Sequence, residues 1–155
     1  MAKISAEGGD PTDVYKFWRT VALLKEVDVI TLPSDFVDDL VVELYASDKS
    51  RLLKMFSDLG SKLVGVLKIA AKDLDELSVL GADFATILPI KRFKISKTRD
   101  GDGVEVDIVG AGRRIESTEC SLVFLQSILN GYGYTVTKRE MNVGTIMVLA
   151  SKRKL

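Results

Sequence analysis

The apolar residues change from a mainly helical to a mainly alternating period near residue 90, and that change constrains the fold more than any other feature of the chain. Between Thr12 and Leu80 apolar side chains recur every three or four positions, the spacing of one helical face. From Ile90 to Ala150 two pairs of segments alternate, the spacing of strands with one buried face. The order helices, hairpin, helix, hairpin predicts an α+β fold, with N-terminal helices followed by a four-stranded antiparallel sheet and one helix crossing it. At 155 residues the chain suffices for a single domain, expected over 12–155. A flexible lead-in is expected over 1–11, where Gly8, Gly9, Asp10 and Pro11 favour turns.

Thr12 is placed to cap a first helix whose Val14, Phe17, Trp18, Val21 and Leu24 fall at helical spacing. The β-branched run Val27–Leu32 predicts a short strand. Pro33 disfavours helix before it, and Ser34 offers the next cap. The following helix shows Phe36, Val37, Leu40, Val41 and Leu44 as one apolar stripe, with Asp35, Asp38, Asp39 and Glu43 assigned to water. Ser47-Asp48 breaks the pattern and starts a longer helix in which Leu52, Leu53, Phe56, Leu59, Leu63, Val66, Leu67 and Ala70 keep the period. Gly60 and Gly65 interrupt it, each costing about 1 kcal/mol against Ala, and glycine at such places marks close packing of another element. A short helix over Leu74–Leu80 ends near Gly81.

In the second half, Ile90–Lys97 and Val104–Val109 flank a strong turn signal, Arg99-Asp100-Gly101-Asp102-Gly103. Val104, Val106 and Ile108 should face the core, with Glu105 and Asp107 toward water. After a loop over 110–116, Ser117 or Thr118 is expected to cap an apolar helix carrying Leu122, Phe124, Leu125, Ile128 and Leu129. Asn130-Gly131 should end it in a left-handed cap. Tyr134–Lys138 and Val143–Ala150 predict the second hairpin, and the run Ile146–Ala150, apolar on both faces, predicts a central strand.

The chemistry within reach is narrow. The chain has no histidine and one cysteine, Cys120, so it lacks the commonest general base and metal ligand. No catalytic residue, cofactor or metal site is expected. Cys120 lies in a predicted first helical turn, where a thiol is sometimes activated, but without a histidine it reads as a small apolar residue. Gly110-Ala111-Gly112 with Arg113 and Arg114 resembles an anion-binding loop, without the glycine spacing of a dinucleotide fingerprint. The Asp100–Gly103 run lacks the glutamate that completes a calcium loop, and a turn is favoured. The segment Lys25–Thr31, followed by two helices, matches the layout of a DNA-reading ribbon, but its side chains suit phosphates poorly. A better contact for a polyanion is the tail of Lys152, Arg153 and Lys154, with Lys138 and Arg139 near it in sequence.

Lys+Arg and Asp+Glu number 22 each, which argues against indiscriminate binding to nucleic acid or membrane. Leu63–Ala71, the longest apolar stretch, carries Lys68 and is too short to span a bilayer, so no membrane insertion is expected. The residues near Met1 do not read as a signal peptide, and the lone cysteine fits a cytoplasmic setting.

From Leu32 onward the order of elements resembles the 4-vinyl-reductase domain, a relative of the Bet3-type subunits of the transport-particle tethering complex. The residues that carry it are Phe56-Ser57-Asp58-Leu59-Gly60-Ser61-Lys62-Leu63, the helix start Ser117–Leu125, and Gly133-Tyr134-Thr135-Val136. Family members often carry cysteines near the last hairpin, and this chain has none there, so no metal site is carried over. The resemblance implies a non-enzymatic small-molecule-sensing or scaffolding module. It implies a homodimer or protein partner and an apolar pocket between helices and sheet. Phe56, Leu59, Leu63, Phe124 and Tyr134 are the pocket candidates for an apolar small molecule, each also a natural core residue. The alternative is a nucleic-acid-binding regulator using Arg113, Arg114 and the basic tail.

Overall fold

The structure, a computed structural model, is described over residues 11–86 and 88–153. The expected lead-in, apart from Pro11, lies outside the described residues, as does Lys154. The chain divides into two compact units, Met1–Ile30 and Thr31–Leu155.

In the first unit α1 spans Pro11–Glu26, with proline at the position where its missing N–H costs nothing. The strand expected over Val27–Leu32 does not form. Instead the N–H groups of Val27, Asp28 and Val29 bond back to carbonyls of α1, and Asp28 adopts the left-handed φ of 55°. A β-branched run without a partner strand has nothing to pair with, and the helix C-terminus claims its donors. The DNA-reading ribbon goes with the strand.

The second unit holds α2 (Ser34–Ala70), α3 (Leu74–Phe84), β1 (Arg92–Lys97), β2 (Gly103–Val109), α4 (Ile115–Gly131), β3 (Tyr134–Asn142) and β4 (Thr145–Lys152). This is the expected α+β class. No described helix is long and apolar enough to cross a membrane. The expected break at Ser47-Asp48 is real: Asp48 leaves the helical region, at φ −154° and ψ 82°, and its carboxylate accepts the Arg51 N–H at 2.9 Å. Aspartate there caps the second half of α2. Ser34 does not cap the first half, since α2 starts after Pro33 with no side-chain cap. Asp73 caps α3 by accepting the Glu76 N–H.

The sheet is antiparallel in the order β1-β2-β4-β3. β4 is therefore central, as its two-sided apolar run predicts. Val104, Val106 and Ile108 pair with Ala150, Val148 and Ile146, and all six are buried. The β1–β2 turn is the expected hairpin, with the Asp100 carboxylate accepting from Thr98, whose hydroxyl holds it below the usual carboxylate range. A register shift between Val136 and Lys138 kinks the edge strand β3.

Helix α4 lies between the sheet and α2, touching β3 and β4 on one side and α2 on the other. A helix covered on both sides must be apolar around most of its circumference, which explains Leu122, Leu125, Ile128 and Leu129 beside buried Cys120 and Ser127. It starts earlier than expected, with Arg114 at the N-cap, so Ser117 and Thr118 fall inside its first turn. The Thr118 hydroxyl donates to the Arg114 carbonyl at 2.8 Å and accepts the Gly144 N–H at 2.9 Å. Its role is to tie the helix to the β3–β4 turn. Nor do Asn130-Gly131 form the left-handed cap, which is two residues on, at Gly133 with φ 84°. Gly131 is needed for space: a Cβ there would stand 2.4 Å from Val64 Cγ2.

Candidate functional site

Helices α2 and α4 run parallel along a seam of small side chains. A Cβ on Gly60 would come within 2.6 Å of the Phe124 carbonyl oxygen and 2.9 Å of Ser127 Cβ. Beside it the Ser57 and Ser127 hydroxyls meet at 2.9 Å. Further along, Gly131 faces Val64, and the Tyr132 hydroxyl donates to the Ala71 carbonyl at 2.7 Å. Of the two glycines anticipated as packing points, Gly60 is one and Gly65 is not: nothing stands within 4 Å of its missing Cβ.

Ahead of the glycine, Val41, Leu52 and Cys120 form a buried cluster, flanked by Val37, Tyr45, Leu53 and Phe56. A polar clamp closes its rim. The Tyr45 hydroxyl donates to one Glu119 oxygen, and Lys49 Nζ lies 3.0 Å from the other and 4.8 Å from the Tyr45 ring centre. The Tyr45 hydroxyl, helped by Lys49, holds the Glu119 carboxyl below its ordinary range. The Lys49 ammonium is held above its own, by Tyr45 first and Glu119 second. Burial pushes the Cys120 thiol up to about 11. A thiolate is the reactive form, so a thiol this hard to ionise is a packing group. The clamp spans the break at Asp48 and fastens both halves of α2 to the start of α4.

The outer side of α2 is different. Phe36 (56%), Leu40 (43%), Leu44 (43%), Met55 (57%) and Leu59 (47%) remain largely exposed. The single stripe expected over 36–44 is thus two faces: Val37 and Val41 point inward, while Phe36, Leu40 and Leu44 face solvent. An apolar residue on both sides of one helix was the sequence signal for a second surface, and periodicity alone merged the two. Among the acidic residues expected in water, Asp38 is buried, 6% exposed. Its carboxylate accepts the Arg113 N–H at 3.3 Å, because the loop before α4 folds over the start of α2.

The same loop places the basic candidates. Arg113 pairs with Asp35, and Arg114 lies 4.0 Å from Asp39. Lys152 is exposed; the Arg153 guanidinium donates to Thr135 and Asn130 at 3.3 Å each. The sequence read the loop and the acidic helix separately, and the fold brings them together.

Of the pocket candidates, Phe56 borders the Cys120 cluster, Phe124 gives its carbonyl to the closest approach at Gly60, and Leu63 is half-buried on α2. Leu59 belongs to the exposed face, and half-buried Tyr134 opens β3. A shallow recess of about 160 Å³ lies at the edge strand, lined by Gln126, Val136, Thr137, Lys138 and Arg139. None of the five candidates lines it. Sites for anchored apolar ligands are typically ~300 Å³ or more.

No family model matches the chain, and no curated protein does. Among solved structures, a chain described under "Structural insights into the molecular mechanism of H-NOX activation" aligns with 90% of this chain and 92% of its own length. Its sequence identity is 12% and its TM-score 0.45. A likeness at that level carries no argument about family or function.

Proposed function

We propose that the chain is a non-enzymatic scaffolding module of the cytoplasm that works through a helical surface and self-associates. The observation that carries this reading is the contrast within α2: a seam packed to the backbone on one side and five large apolar side chains in water on the other. Exposed apolar residues scattered singly mean little, but two runs at four-residue spacing on one helix, Phe36, Leu40 and Leu44 and then Met55 and Leu59, mark an interaction surface. The resemblance to the 4-vinyl-reductase domain and the Bet3-type subunits points the same way, since such modules commonly pair. The chemistry agrees. Cys120 is held as a thiol, and Glu119 is engaged by Tyr45 and Lys49.

Small-molecule sensing, the other half of the expectation, requires the seam beside Phe56 and Phe124 to open around a ligand. Binding to nucleic acid draws less support, because Asp35 and Asp39 face the two loop arginines.

Native mass spectrometry of the full chain, at low and then raised collision energy, tests the reading. A dimer with no bound molecule is the expected result. A dimer that sheds an apolar molecule would shift the reading to sensing. A bare monomer, followed by salt-sensitive retention on DNA, would replace it with the nucleic-acid alternative.

A further inference from the structure

We propose that the surface covering the outer face of α2 is the same face of a second copy, with the two helices antiparallel about a two-fold axis at Ser47-Asp48. This rests on the reading of the chain as a self-associating module and names its partner and register.

Three observations lead there. First, the exposed positions are symmetric about the break. Phe36 and Leu59, Leu40 and Met55, and Leu44 and Arg51 are each equidistant from it in sequence, and all six are exposed. A two-fold axis brings each residue of such a pair against its counterpart on the other copy, which is the condition for an isologous interface. Second, both halves of α2 bury their opposite side in one cluster, Val41 before the break and Leu52 after it, both against Cys120. Counted from Val41 and Leu52 at about 100° per residue, positions 40 and 44 and positions 51 and 55 fall about 60–100° to one side, with Phe36 about 40° beyond them and Leu59 about 40° short, so the two sets share one flank. The break thus bends the helix without turning the stripe inward.

Third, the charges are complementary in this register and clash in the other. Before the break the exposed charges are Asp35, Asp39 and Glu43; after Asp48, itself exposed, come Lys49, Arg51, Lys54, Asp58, Lys62 and Lys68, with Lys49 already held by Glu119. Arg113 pairs with Asp35, Arg114 approaches Asp39, and Lys54 pairs with Asp58 at 2.6 Å. Glu43 and Arg51 have no ion pair among the described residues. Antiparallel pairing sets Glu43 of one copy beside Arg51 and Lys54 of the other. Parallel pairing would set Glu43 against Glu43 and Arg51 against Arg51. Rim charges of this kind choose partner and register more than they add affinity.

The test uses the full chain, in which Cys120 is fully buried. In Ser47→Cys the two new thiols flank the axis, about 8–10 Å apart at ordinary helix spacing, within reach of a short bis-maleimide. In Ile69→Cys, at an exposed site near the far end of α2, they lie tens of ångströms apart in this register but face each other in a parallel one. The expected result is a cross-linked dimer from Ser47→Cys and none from Ile69→Cys. Sedimentation should show Glu43→Arg and Arg51→Glu each weakening the dimer about fivefold or more, and the double variant restoring it. A dimer in which Ser47→Cys fails to cross-link, or whose double variant is no better than the singles, overturns the register and leaves the scaffolding reading standing. A monomer at high micromolar concentration overturns both.

Discussion

The two faces of α2 are built from different side chains for different ends. The inner face approaches α4 so closely that a glycine and two serines are what fits at its middle; the large side chains Val41 and Leu52 pack on Cys120 before it, and Val64 meets Gly131 beyond it. The outer face carries phenylalanine, leucine and methionine in water. Small residues let backbones meet and fix one arrangement; large ones offer the area on which the proposed second copy would pack. Stability should therefore respond to the inner face and its neighbours, and association to the outer face.

The sharpest challenge to that division is Leu129→Ala, on the α4 layer and fully buried. It should cost about 2–5 kcal/mol in urea unfolding, the range for emptying a leucine site that cannot collapse. The same change at outer Leu40 should leave unfolding within about 0.5 kcal/mol at protein concentrations low enough to dissociate copies. Equal losses at the two sites would break the comparison.

Alkaline pH probes the seam without changing its shape. The Cys120 thiol ionises near 9 when unfolded and about 11 when folded, so the fold favours the protonated form. Its contribution is complete below pH 9 and disappears as pH rises toward 11, roughly 2–3 kcal/mol in all. Unfolding measured between pH 8 and 11 should show that loss in the native chain. Cys120→Ala should be less stable at pH 8 but should lack the extra slope. Parallel pH profiles would mean the thiol is not sealed in the seam.

The two helical glycines give the finest comparison. Gly60→Val must displace the Phe124 carbonyl and Ser127, and overpacking of this kind costs about 1–3 kcal/mol. Gly65→Ala meets nothing and gains helix propensity, so it should stabilise by about 0.5–1 kcal/mol. Thermal midpoints that fall for the first and rise for the second confirm that the seam passes one glycine and misses the other.

Much of this architecture was legible in the order of residues. Strand alternation in β1 and β2, the turn at Asp100–Gly103, the two-sided β4 and the break at Asp48 are local properties, set by side-chain period and backbone preference. The misreadings share a cause. The strand expected over Val27–Leu32 has local propensity but no partner. Thr118 looked like a cap because hydroxyls cap helices, yet its acceptor role is claimed by Gly144, which is 26 residues distant. Asp38 looked solvated until the loop at Arg113 was folded over it.

For the site, the sequence by itself determined the chemistry within reach: no histidine, one thiol, balanced charge and a long helix with apolar residues to spare. Tertiary structure decided which of those residues are spent on the core. Phe36, Val37, Leu40 and Val41 are alike in hydrophobicity and differ only in what stands opposite them. Period records how a helix is divided into faces, whereas burial depends on which face meets α4, and that is settled by contacts between residues some 60 to 80 positions apart.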